Sequence, residues 1–89
     1  MPSLTARVGD PVGLHLRAAS RIVKRAKQFQ SEIRIRYQSV EANAKSILGL
    51  ASLVAHHLEP LEISAEGPDA EAALNSLAKL IEHELAEQG

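Results

Sequence analysis

Four short stretches of this chain carry apolar residues at every second position, and that spacing constrains its fold more than any other feature. Leu4, Ala6 and Val8 alternate with Thr5 and Arg7, and Ile33, Ile35 and Tyr37 with Arg34 and Arg36. Val40, Ala42 and Ala44 alternate with Glu41 and Asn43, and Leu61, Ile63 and Ala65 with Glu62, Ser64 and Glu66. Successive side chains of a strand point to opposite faces, so this period marks strands with one face buried and one face wet. Such strands belong to a largely antiparallel sheet covered by helices on one side.

Two other stretches have the helical period. Ala19, Ile22, Val23, Ala26 and Phe29 fall on one face of a helix whose other face carries Arg21, Lys24, Arg25 and Lys27. From about Asp69, the residues Ala70, Ala73, Leu74, Leu77, Leu80, Ile81 and Leu85 define a long final helix. Between these, Ser46 precedes Ile47, Leu48, Leu50 and Ala51 and is a natural N-cap. Gly49 costs that segment about 1 kcal/mol against alanine, so a short helix is expected. The order is βαββαβα, an α+β chain for which a split βαβ topology is natural.

Eighty-nine residues fit a single domain over 1–89, and a chain this short has only a small core. With one Tyr, one Phe and no Trp, that core is built from Leu, Ile, Val and Ala, which argues against a deep aromatic ligand pocket. The absence of cysteine removes disulfides and thiolate metal sites, and no cofactor or metal is expected. His56 and His57 are adjacent, but neighbouring histidines diverge and no third ligand is evident, so they and His83 read as solvated surface. The first ten residues, MPSLTARVGD, hold no apolar run of signal-peptide length, and none of 18 residues occurs elsewhere. A cytoplasmic protein without membrane contact is expected, with monomer as the default state.

The net charge of −1 conceals a division. Met1–Lys45 carries nine Lys or Arg against three acids, and Ser46–Gly89 carries one Lys against eight acids. A basic helix could follow a nucleic-acid backbone, but the aromatics that stack on bases are missing. An acidic protein surface or a single phosphoryl group suits the pattern better, and nucleic acid is set aside.

The segment GLHLRAAS, Gly13 to Ser20, sets a histidine at the start of the basic helix. If the helix begins at Leu16, His15 is its N-cap, and its Nδ1 can accept from the free amide of Arg17 or Ala18 as an N-cap Asn does. That leaves Nδ1 unprotonated and nucleophilic. A phosphoryl group on it would lie among the unpaired backbone amides of Arg17 and Ala18, with the Arg17 guanidinium near enough to pair with its oxygens. An exposed helix tip stabilises that charge only moderately, as a group that must be passed on requires. On spacing alone, an ordinary capping histidine remains the alternative.

GLHLRAAS resembles the active-site stretch G-[IL]-H-A-R-P-A of HPr, the histidine-containing phosphocarrier of the phosphoenolpyruvate-dependent sugar phosphotransferase system. AKSILGLASL, Ala44 to Leu53, resembles that family's second signature, K-S-I-[ML]-G-[VLI]-x-[ST]-L, at the family's separation. The resemblance implies an open-faced β-sandwich of four antiparallel strands under three helices, with His15 phosphorylated at Nδ1 and Arg17 as its stabilising partner. It implies that enzyme I supplies the phosphoryl group and that IIA domains of sugar permeases receive it. It also implies Ser46 as the residue that an ATP-dependent serine kinase modifies in some members, where a transcriptional regulator can then be the partner. Two positions depart from the pattern: Leu16 replaces the family's alanine and Ala18 its proline, which restores a backbone N–H in the first turn. Leu16, Ile47, Leu48 and Leu50 are expected to form an apolar docking patch, with Arg21, Lys24 and Arg25 as steering charges. The alternative function is a regulatory binding module that acts through Ser46 and takes no part in sugar uptake.

Overall fold

A computed structural model describes residues 2–88. The strands are β1 (Ser3–Arg7), β2 (Glu32–Tyr37), β3 (Val40–Asn43) and β4 (Pro60–Glu66), and the helices are α1 (Leu16–Ala26), α2 (Ile47–Ala51) and α3 (Ala70–Lys79). The sheet runs β1-β4-β2-β3 with every neighbouring pair antiparallel. β4 therefore enters between the first and second strands, as the split βαβ expectation requires.

One face of the sheet meets the helices. Ala6, Ile33, Ile35, Leu61, Ile63 and Ala65 are buried there against Ile22, Val23, Leu50, Leu74 and Leu77. The opposite face is polar, and Arg36 stands directly across the register from Glu62 and pairs with it. Leu4 lies on the edge strand and stays partly exposed. The β2–β3 hairpin turns at Gln38, which takes a left-handed φ of 58°. Tyr37 donates from its hydroxyl to Glu59 Oε1 at 2.6 Å, tying this hairpin to the chain before β4. That bond, with the amide of His56, holds the Glu59 carboxyl below the usual carboxylate range.

The final helix departs from the single regular rod expected from Asp69 to Leu85. α3 keeps α winding to Lys79, then widens into one π turn at Leu80–Glu84 and tightens into a 3₁₀ turn at Leu85–Gln88. Where the winding changes, the carbonyl of Ile81 accepts the N–H of Gly9 at 2.9 Å, and the Glu82 carboxylate accepts the N–H of Arg7 at 3.0 Å. Bonds from outside a helix that reach into its ladder are a recognised cause of such irregularity. Leu80, Ile81 and Leu85 all remain buried. No helix among the described residues is long and apolar enough to cross a membrane.

Candidate active site

The site grows from the four-residue turn Asp10-Pro11-Val12-Gly13. The carbonyl of Asp10 accepts the N–H of Gly13 at 2.9 Å, and the Asp10 carboxylate Oδ1 accepts the N–H of Val12 at 2.8 Å. Asp at the first position, Pro at the second and Gly at the fourth are the residues such a turn favours. Gly13 adopts φ +99°, and a Cβ there would lie 2.7 Å from the carbonyl oxygen of Ala55, so no larger residue fits. Leu14 then donates to that same carbonyl at 2.8 Å. The loop before α1 is thus fastened to the loop after α2.

His15 follows as the N-cap, with extended backbone and its carbonyl accepting from Ala19 N–H at 2.9 Å. Its Nδ1 accepts the N–H of Arg17 at 3.2 Å, as the cap argument requires. Its Nε2 lies 3.0 Å from Asp10 Oδ2, a contact the sequence reading missed. The Asp10 side chain is 3% exposed and that of His15 30%. An N–H must meet a lone pair, and a carboxylate must meet an N–H, so this pairing selects the tautomer with hydrogen on Nε2. The free pair on Nδ1 is thereby kept at the helix tip. The signal that could have found Asp10 is the Asp-Pro-x-Gly turn, whose side chain folds back toward the chain that follows.

Around this imidazole, Arg17 is exposed and makes no ion pair or side-chain hydrogen bond among the described residues. Ala18 is buried, and its N–H, in the first turn, finds no backbone partner among them. Ser46 is the cap expected of it: its Oγ accepts the N–H of Gly49 at 3.1 Å.

The exposed apolar patch is smaller than the docking patch expected from the sequence. Leu16 is 59% and Leu48 78% exposed, and Leu16 and Ile47 line an open depression with Arg17 and Ser20. Leu50 is 0% exposed and belongs to the core, because the inward face of so short a helix must carry its packing. Of the three expected steering charges, Lys24 is exposed and lines an adjoining depression with Lys27. Arg25 is instead committed to the final helix, bonding Ser76 Oγ at 3.0 Å and Glu84 Oε1 at 2.8 Å, and holding the Glu84 carboxyl below its usual range. Arg21 donates to the Glu84 carbonyl at 3.3 Å. Part of the charge division between the chain's halves is therefore spent inside the fold.

His57 is likewise more than solvated surface, since its Nδ1 donates to the carbonyl of Asp10 at 3.2 Å. His56 pairs with Glu59 at 3.0 Å, and His83 is exposed. Among the described residues no three His, Asp or Glu side chains gather closely enough to hold a metal ion.

Comparison with known proteins agrees with this geometry. Residues 2–83 match the family model described as the HPr component phosphorylation site of the phosphotransferase system. The phosphocarrier protein HPr of Treponema pallidum is 37% identical over 84 residues, covering 94% of this chain and 96% of its own. That of Mycoplasma pneumoniae is 42% identical over 83 residues, covering 92% and 94%. A crystal structure of HPr from Thermoanaerobacter tengcongensis superposes with a TM-score of 0.89 at 36% identity, covering 96% of each chain. The open-faced α+β sheet, the histidine-capped helix tip and these matches together show that the chain belongs to the HPr family of phosphocarriers.

Proposed function

We propose that the chain receives a phosphoryl group on His15 Nδ1 from phosphorylated enzyme I and passes it to IIA domains of sugar permeases. The observation that carries this reading is the Nδ1 lone pair held at an open helix tip by the N–H of Arg17. In the step, the Nδ1 pair forms the new N–P bond as the bond from phosphorus to the donor breaks, and the donor keeps that electron pair. Nδ1 then has no pair to offer Arg17, so its N–H turns to a phosphoryl oxygen, joined by the N–H of Ala18 and the Arg17 guanidinium. The Arg17 side chain is exposed and takes the place of water around the phosphoryl group, so the charge is held without being sealed in. Return transfer retraces the path with the acceptor as nucleophile.

Leu16, Ile47 and Leu48 supply the apolar contact for both partners, and Lys24 and Lys27 draw acidic surfaces toward it. Ser46, which the resemblance implies is modified in some members, is the regulatory phosphorylation site of this reading. A phosphate there would add about −1.5 to −2 charges beside Ile47 and Leu48, on the docking surface itself. The test is labelling by phosphoenolpyruvate and enzyme I. An acid-labile phosphate is expected on the wild type and none on His15→Ala, and unchanged labelling of that variant would overturn the site. The regulatory reading predicts instead that binding to a partner depends on a serine kinase and persists in His15→Ala.

A further inference from the structure

We infer that Asp10 is a positioning residue for phosphoryl transfer, setting the tautomer of His15 before the reaction and stabilising the charged ring that transfer creates. The inference rests on the reading of His15 Nδ1 as the phosphoryl acceptor.

Both Asp10 oxygens already accept: Oδ1 from the Val12 N–H at 2.8 Å and Oδ2 from His15 Nε2 at 3.0 Å. A neutral imidazole can be an Nδ1–H or an Nε2–H tautomer, and only the second has a free pair on Nδ1. The Asp10 carboxylate accepts hydrogen bonds and cannot donate, so it stabilises the reactive tautomer. The carboxylate is itself held in place by its turn and by the His57 ring on its carbonyl at 3.2 Å.

When Nδ1 attacks phosphorus, its pair becomes the N–P bond while Nε2 keeps its hydrogen, so the ring becomes a phosphoryl imidazolium. Asp10 then faces a positive ring through the same Nε2–H bond, as the aspartate of a serine-protease triad faces its imidazolium. A ring that keeps this hydrogen also departs more readily as a neutral imidazole when the next acceptor attacks. Asp10 therefore favours loading by stabilising the charged ring, and it holds the hydrogen that lets the ring leave as a neutral imidazole.

Asp10→Asn separates this role from a merely structural one. The amide matches the carboxylate in shape but has one acceptor oxygen, so it cannot serve both Val12 N–H and Nε2–H. With the oxygen kept on Val12, its NH₂ faces Nε2 and drives the ring toward Nδ1–H. Asp10→Ser serves as a second variant, since its hydroxyl can cap the Val12 N–H but is too short to reach the ring. Nitrogen-15 spectra of the His15 ring in the neutral range of the imidazole should show Nε2–H in the wild type and a mixture or Nδ1–H in both variants. Transfer from phosphorylated enzyme I should slow by about 10- to 100-fold, less than the roughly 10⁴-fold loss for the buried protease triad because His15 is partly solvated. Amide spectra of both variants should keep the wild-type fold.

If His15→Ala is still labelled, the acceptor assignment itself fails. If that label is lost but Asp10→Asn keeps the Nε2–H signature or transfers within twofold of wild type, Asp10 has no positioning role.

Discussion

The first two helices begin in the same way and differ in what the cap can do next. At α1 the imidazole of His15 accepts from Arg17 N–H at 3.2 Å, and at α2 the hydroxyl of Ser46 accepts from Gly49 N–H at 3.1 Å. Each satisfies one of the amides that a helix start leaves free. Their surroundings separate them. Beyond its cap, His15 has a second nitrogen bonded to a buried carboxylate, an exposed arginine and a free amide at Ala18. Ser46 lies in a helix of five residues whose first turn carries no charge. What distinguishes the two helix tips is what holds and surrounds each cap, more than the cap itself. α3 supplies a third case, because Asp69 stands at its cap position with a side chain that makes no bond to its own helix. Its carboxylate accepts from the backbone of Gln30 and Ser31, each at 2.9 Å, and from the Ser31 hydroxyl.

The comparison breaks most visibly at His15. His15→Asn retains a good N-cap, yet phosphoryl labelling should vanish completely. Its stability should fall by about 1 to 2 kcal/mol because Asp10 Oδ2 loses its donor in a buried position, readable as a lower urea midpoint. Arg17→Ala should leave that midpoint within about 0.5 kcal/mol of wild type, because the side chain is exposed and unpaired among the described residues. Its transfer rate should fall about tenfold or more through loss of a charge-assisted partner for the phosphoryl oxygens, measured with phosphorylated enzyme I in rapid quench. Ser46→Ala should reverse that pattern, with about 1 kcal/mol lost in unfolding and transfer close to wild type.

Asp69 gives an effect that is read against pH, and it is one of sign. The Ser31 hydroxyl first, then the Gln30 amide, hold its carboxyl below the usual aspartate range. A carboxyl lowered in the folded state contributes stability above its unfolded pKa and loses it as pH falls through the lowered value. Stability measured by urea unfolding should therefore decline on the acid side of the ordinary aspartate range. Asp69→Asn should flatten that part of the decline, and an unchanged acid limb would show that the carboxylate carries none of it.

The strands, the helices and their order were legible because every strand has one wet face and α1 is amphipathic. Each pattern needs only local geometry to be read. The first helix starts at Leu16 as the spacing predicts, and Ser46 caps the second. The capping nitrogen of His15 was legible for the same reason, since its Nδ1 meets an amide two residues away. Less legible were the facts that depend on remote chain segments. Leu50 shares an apolar segment with Ile47 and Leu48, and which of these faces the sheet depends on how a five-residue helix rests on it. Arg25 looked like the other basic residues of α1 until the final helix brought Ser76 and Glu84 beside it. The π turn at Leu80–Glu84 likewise coincides with bonds from Arg7 and Gly9, far away in the chain.

The amino-acid order alone thus determined an antiparallel sheet under helices and a histidine with a free nitrogen at a helix tip. These follow from side-chain period and capping, which act over a few residues. Tertiary structure decided which hydrophobic side chains stay exposed and which charges are already paired. It also added to how the other nitrogen of His15 is held, since the turn that carries the Asp10 carboxylate is tied to Ala55 and His57. The fate of a charge or an apolar surface depends on everything packed around it, and that is assembled only when distant segments meet.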